Sequence, residues 1–178
     1  MKTEDTVLVL IDVQGKLAEV MHAREKLYDN LCRLIRGCRA LNIPIIWMEQ
    51  IPEKMGATIE PIRELLPDLT PIAKTSFSCC GEPAFTAELD SLGRKSVLLA
   101  GIETHVCVYQ TAADLTANGY SVEVVSDATS SRTPENRSTG LERIRLCGAA
   151  ATSVEMVLFE LMNSAEHPAF REILRIVK

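Results

Sequence analysis

The chain is short of the residues that build metal centres and disulfide frameworks. It has three histidines, and none of its six cysteines falls in a CxxC pair. These spacings offer no zinc ligand set, so no metal is expected. A disulfide framework belongs to small secreted chains rather than to one of 178 residues, so the thiols are expected reduced. Long hydrophobic runs are missing too. None approaches the roughly 18 residues a membrane helix needs. The opening MKTEDTVLVLIDVQG carries acids before and inside its short apolar run, so it reads as a first strand and not a signal peptide. The compartment this implies is the cytoplasm, with no membrane partner. Positive charge is in deficit: 19 Lys and Arg against 24 Asp and Glu leave a formal charge of −5. With no local basic cluster, a nucleic-acid partner held by general phosphate attraction is excluded. No GxGxxG follows the first apolar run and no GxxxxGK[ST] occurs, so no dinucleotide or nucleotide cofactor is indicated.

What is present is a series of buried-type strands alternating with amphipathic helices. Thr6–Val13, Ile43–Met48 and Val97–Ala100 are near-continuous apolar runs, as are Val122–Val125 and Ala149–Thr152. Such runs suit parallel strands covered on both faces. Helical spacing marks Leu27–Leu41, Pro83–Leu92, the stretch around Leu141–Cys147, the stretch after Thr152, and Pro168–Val177. Cys32 falls off the first of these apolar stripes. Thr152 and Glu155 have the spacing of a capping box. Glu49–Thr75 has no clear strand and five prolines or glycines, around one short helix near Ile59–Leu66. Ala128–Asn136 is polar and turn-like. With Ile72–Ser78 added, the count reaches six strands. The expected fold is a three-layer α/β/α Rossmann-like sandwich with a mainly parallel six-stranded sheet, one domain over residues 1–178.

The most informative stretch is Ser96–Gln110, SVLLAGIETHVCVYQ. A buried strand turns at Gly101 and leads into a helix whose first turn holds Cys107. Orphan N–H groups and the helix dipole at that end favour thiolate over thiol. The same N–H groups can hold an oxyanion. A buried structural cysteine is the alternative, since free Cys is among the most buried residue types. Asp12 closes the first strand, at the end where open α/β sheets bind ligands. There it can serve as a general base, a cap or half of an ion pair. Lys74 is the only cation between Arg63 and Arg94, and a lone lysine is ordinarily solvated. Taken together the three groups make a chemical set: a sulfur nucleophile, a carboxylate for proton transfer, and an ammonium to hold the carboxylate.

LVLIDVQ (Leu8–Gln14), KTSFS (Lys74–Ser78), LLAGIETHVCVYQTAADL (Leu98–Leu115) and VVSDATSSR (Val124–Arg132) resemble the motifs of the isochorismatase-like cysteine hydrolase superfamily. MEQIPEKMGATI (Met48–Ile59) and VLFELMNSAEHPAFREI (Val157–Ile173) are most similar to the isochorismatase-domain-containing branch. The resemblance implies a catalytic triad of Asp12, Lys74 and Cys107. It implies a non-proline cis peptide at Ile102–Glu103 and an oxyanion hole from the Glu103 and Cys107 N–H groups. It also implies a small-molecule substrate and a homo-oligomer, dimer or larger. Nicotinamidases of this superfamily hold a metal through an Asp-x-His…His set after the second strand. The corresponding residues here are Glu49-Gln50-Ile51-Pro52, which implies no metal and a substrate other than nicotinamide. Isochorismatase proper cleaves a vinyl ether and can lack the cysteine; Cys107 points to amide or carbamoyl chemistry. Gln14, Trp47, Phe77, His105 and Tyr109 are the candidate pocket residues, with core packing the alternative for Trp47 and solvent exposure for His105. A thiol-based redox sensor using Cys107, with the Cys79–Cys80 pair as its partner thiols, or a binding protein on the same fold are the competing readings.

Overall fold

The computed structural model describes residues Met1–Lys178. In chain order its elements are β1 (Thr6–Ile11), α1 (Gly15–Glu19), α2 (Arg24–Ala40), β2 (Ile45–Gln50), α3 (Pro52–Met55), α4 (Glu60–Arg63) and β3 (Ile72–Lys74). Then follow α5 (Pro83–Leu92), β4 (Ser96–Ile102), α6 (Tyr109–Ala117), β5 (Ser121–Ser130), α7 (Pro134–Leu146), β6 (Ala150–Thr152), α8 (Val154–Met162) and α9 (Phe170–Val177). The six strands form one sheet in the order β3-β2-β1-β4-β5-β6, and every pairing is parallel.

Side-chain alternation along the strands creates two cores. Leu8, Leu10, Trp47, Leu98 and Ala100 face a layer made by α2, α8 and α9, where Leu31, Leu34, Ile35, Leu158 and Ile173 are buried. Val7, Val9, Ile46, Met48, Val97 and Leu99 face the other side, against Phe85 of α5, Ala112 and Leu115 of α6, and Ile144 of α7. This double cover is why β1 is buried at all six positions and why the strand sequences do not alternate between apolar and polar.

The structure departs from the sequence expectations in several places. β5 continues through Asp127–Ser130 instead of stopping at Val125. A register shift between Leu99 and Gly101 lets Gly101 and Ile102 pair with Thr129 and Ser130, so the polar tail of β5 is held by a strand that the local pattern could not reveal. The cap of α8 is Ser153, whose hydroxyl accepts from the Met156 N–H; Thr152 is the last residue of β6. Cys32 is buried, with its thiol directed at the Pro61 carbonyl. The off-stripe position on α2 is covered by the Glu49–Thr75 segment, which contributes α3, α4 and the edge strand β3.

Candidate active site

Two neighbouring strands, β1 and β4, diverge in connection: β1 leads toward β2 on one side, and β4 leads toward β5 on the other. This reversal opens a crevice beyond their carboxyl ends, the place where doubly wound sheets bind ligands. Asp12 is the first residue after β1 and Lys74 is the last of β3. Cys107 lies five residues beyond β4, in a single π-helical turn, Thr104–Val108, that runs into α6. The expected plain α-helical first turn is therefore a wider one.

Asp12 and Lys74 form an ion pair, Nζ to Oδ2 2.8 Å, with both side chains almost fully enclosed. Lys74 Nζ also donates to Gln50 Oε1 at 2.5 Å and to the Ser76 and Phe77 carbonyls at 3.2 Å. A buried ammonium is sustainable only with such a set of acceptors. Lys74 is thus not the solvated lysine of the general case. Asp12 adopts φ +54°, a left-handed conformation that Asp tolerates better than most residues. Its second oxygen, Oδ1, is buried and accepts no hydrogen bond. The neighbouring Cys107 thiol favours the charged form of the carboxylate.

The electrostatics differ from the sequence expectation. Burial pushes the Cys107 thiol well above the ordinary cysteine range, and the Asp12 charge pushes it further; Lys74 only partly offsets them. Asp12 is itself raised by burial, against the lowering effect of Lys74. The helix-end argument considers the dipole alone, whereas an adjacent buried carboxylate competes for the same proton. Burial and the Asp12 charge both favour the neutral thiol.

Above these groups is a cavity of about 240 Å³ lined by Asp12, Cys107, Gln14, Glu103 and Phe77, together with residues of α1, α3 and the turn after β4. The Ile102–Glu103 peptide bond is cis. The Glu103 carboxylate, 8% exposed, accepts from the Arg132 N–H and Nε, at 3.2 and 3.1 Å. Thr129 Oγ donates to the Gly101 carbonyl, so the Thr104 hydroxyl must donate to Thr129 Oγ across 2.9 Å. These bonds tie the turn carrying Cys107 to the tail of β5.

Of the five candidate pocket residues, Gln14 and Phe77 line the cavity and three do not. Trp47 faces the opposite core because it alternates with Met48, and its indole N–H donates to Thr58 Oγ. His105 points away, with Nδ1 2.9 Å from Ser131 Oγ. Tyr109 lies under the Arg143 guanidinium and accepts its hydrogen bond. His105 sits in the helical turn after β4 and Tyr109 opens α6, on faces that Cys107 does not share.

Gln50 and Glu49 have roles that sequence reading did not reach. Gln50 grips Lys74 with its carbonyl and the Thr75 carbonyl with its NH2. Glu49 is buried and takes the N–H and hydroxyl of Thr58 on one oxygen, at 2.6 and 2.7 Å. With Glu49 and Gln50 so engaged and no histidine beside them, this position does not fit the nicotinamidase metal. No group of three or more His, Cys, Asp or Glu is arranged to hold an ion. No helix is long and apolar enough to cross a membrane.

Comparison with known proteins agrees with this architecture. The isochorismatase domain family matches residues 6–156. The secreted isochorismatase effector Isc1 of Phytophthora sojae is 40% identical over 97% of this chain and 84% of its own. Isochorismatase domain-containing protein 2 of Danio rerio is 37% identical over 99% of this chain and 89% of its own. The solved structure of MAR1 ribonuclease from Caenorhabditis elegans superposes with a TM-score of 0.93 at 35% identity, covering 99% of this chain and 91% of that one. By fold, by motif and by relatives, the chain belongs to the isochorismatase family, among its isochorismatase-domain-containing members.

Proposed function

We propose that the protein is a cysteine hydrolase that cleaves the C–N bond of a small amide or carbamoyl compound through a thioester on Cys107. The observation that carries this reading is the buried Lys74–Asp12 pair, with a free carboxylate oxygen beside the thiol at the floor of a cavity. Asp12 Oδ1 takes the thiol proton as sulfur attacks the carbonyl carbon. Because the resting thiol is neutral, deprotonation and attack must be coupled. The Glu103 and Cys107 N–H groups receive the oxyanion. Asp12 returns its proton to the nitrogen as the C–N bond breaks and the amine leaves. Water, deprotonated by Asp12, then adds to the thioester; the C–S bond breaks and sulfur recovers its proton. Lys74 stays charged and fixes the carboxylate throughout.

Trapping the intermediate tests the scheme. Mass spectrometry of acid-quenched enzyme should show Cys107 acylated, and Cys107→Ala should lose turnover of every amide. Undiminished turnover in that variant overturns the covalent step.

A redox-sensor reading fits less well, because sensor cysteines are low-pKa thiols and burial raises this one. Three of the solved neighbours are called ribonucleases, one of them at 35% identity. The cavity here is too small for a polynucleotide and carries one exposed cation, Lys54, on a chain of net charge −5. All six cysteines are free, which favours a reducing compartment such as the cytoplasm. Exposed Leu146 and Met156 favour a homo-oligomer, and sedimentation measures it directly.

A further inference from the structure

The hydrolase reading leaves the substrate's side chain open, and the cavity constrains it. Its walls are Leu17, Ile51, Met55, Phe77, Ile102 and Val106. The polar side chains that also line it are mostly already bonded. Gln14 donates to the Gln50 and Gly56 carbonyls and accepts from the Gln50 N–H. Gln50 is shared between Lys74 and Thr75. One Glu103 oxygen is held by Arg132. Lys54 is exposed at the rim. The buried polar atom with free capacity is Asp12 Oδ1, and it sits at the reacting end.

A substrate hydroxyl or carboxylate lying against those apolar walls would lose its water and find no partner on them; the polar groups left in the lining are the second Glu103 oxygen and Lys54. A primary amide presents N–H donors to the buried, unpartnered acceptor at the reacting end, Asp12 Oδ1. The space, roughly eight water volumes at about 30 Å³ each, suits a compact acyl group. Resting on the hydrolase reading, we propose that the substrate is a primary amide of a small, uncharged, apolar acyl group, short-aliphatic or monocyclic aromatic. The NH2 end sits by Asp12, and the hydrocarbon body lies between α1, α3 and the turn after β4. Phe77, 57% exposed, stands at the mouth as the remaining hydrophobic face that such a body would cover.

The test measures ammonia release by the wild-type protein, and calorimetric binding by Cys107→Ala, for one set of amides. The set is acetamide, butanamide, hexanamide and benzamide, with succinamate and gluconamide as the charged and hydroxylated comparators. The expected kcat/KM rises about threefold to fourfold for each methylene buried until the cavity is full. Succinamate and gluconamide should fall at least tenfold below hexanamide. A flat series, no binding by any member, or a preference for gluconamide overturns the inference. So does a preference for succinamate, which would make Lys54 the anchor instead. Failure of the underlying reading looks different. Binding in the expected order without ammonia release leaves the apolar preference standing and removes the hydrolase mechanism. Release with the opposite order does the reverse.

Discussion

At the scale of single residues, the feature that governs reactivity is where one proton resides. The proposed triad of Asp12, Lys74 and Cys107 could be named from its motifs. The state of the thiol could not, because a local pattern shows a helix end but not burial or a facing carboxylate. With sulfur neutral at rest, alkylation of Cys107 by iodoacetamide should accelerate steadily from pH 6 to 9.5. A plateau near neutrality would mean a resident thiolate and a different mechanism. In the proposed mechanism turnover needs Asp12 ionised, and burial raises Asp12 above its ordinary value. The acid limb of kcat/KM should therefore lie above that value. The sign for stability follows from linkage. A carboxyl that binds its proton more tightly when folded contributes fully below the unfolded value, and that contribution is lost as pH rises through the native value. Lys74 lowers Asp12, so Lys74→Met should move the acid limb to higher pH and cut kcat by roughly 10²–10⁴. It should also destabilise the fold by about 3–5 kcal/mol at neutral pH, since a buried charge loses its partner. An unmoved acid limb would show that Lys74 does not set the Asp12 proton. Gln50 escaped sequence reading for a related reason: its function exists only because Lys74, 24 positions away, is brought to its side.

At the scale of elements, the position of the proposed nucleophile depends on how closely α7 packs on the turn after β4. Gly140 makes that approach possible. A Cβ there would lie 2.8 Å from the Cα and N of His105 and 2.9 Å from the Thr104 carbonyl carbon. These are backbone atoms of the turn that carries Cys107, so they cannot rotate away. Gly140→Ala should displace the turn, lowering kcat tenfold or more while KM changes little, with a stability loss of about 1–3 kcal/mol from overpacking. Gly93→Ala provides the comparison. It has φ +64° and nothing within 4 Å of a Cβ, so it should cost about 1–2 kcal/mol for the left-handed conformation and leave kcat intact. Equal kinetic effects from both would mean that Gly140 acts through global stability and not through the turn. The sequence marked helix and strand here by their apolar periods. It did not mark the register shift in β4–β5 or the π-helical turn, because both arise from contacts between segments roughly 25 residues apart.

At the scale of the molecule, the parallel sheet and its covering layers were legible because two-sided burial leaves continuous apolar strands. The strand order places β1 and β4 side by side, which makes their carboxyl ends the site. Within the long Glu49–Thr75 segment the short helix near Ile59–Leu66 and the strand from Ile72 were legible, and both are present as α4 and β3; α3 and the path of the rest were not, since that path comes from Thr58 bonding to Glu49 and from Ile72–Lys74 docking on β2. The same architecture distributes the six thiols unequally, and that distribution separates a hydrolase from a sensor. Cys38 and Cys79 are fully enclosed, and burial pushes each thiol up to about 12. Cys80 and Cys147 are half-buried near the surface. A bulky aromatic disulfide reagent at neutral pH should therefore label Cys80 and Cys147 first. Cys38 and Cys79 should react only as fast as the fold opens, since an enclosed neutral thiol is neither reachable nor nucleophilic. Peroxide at the same pH should leave Cys107 largely thiol while the enzyme remains active. Rapid, reversible Cys107 oxidation, or a Cys79 mixed disulfide formed ahead of Cys80, would mean that the interior opens more readily than this packing allows. In that case the thiols would serve signalling rather than catalysis.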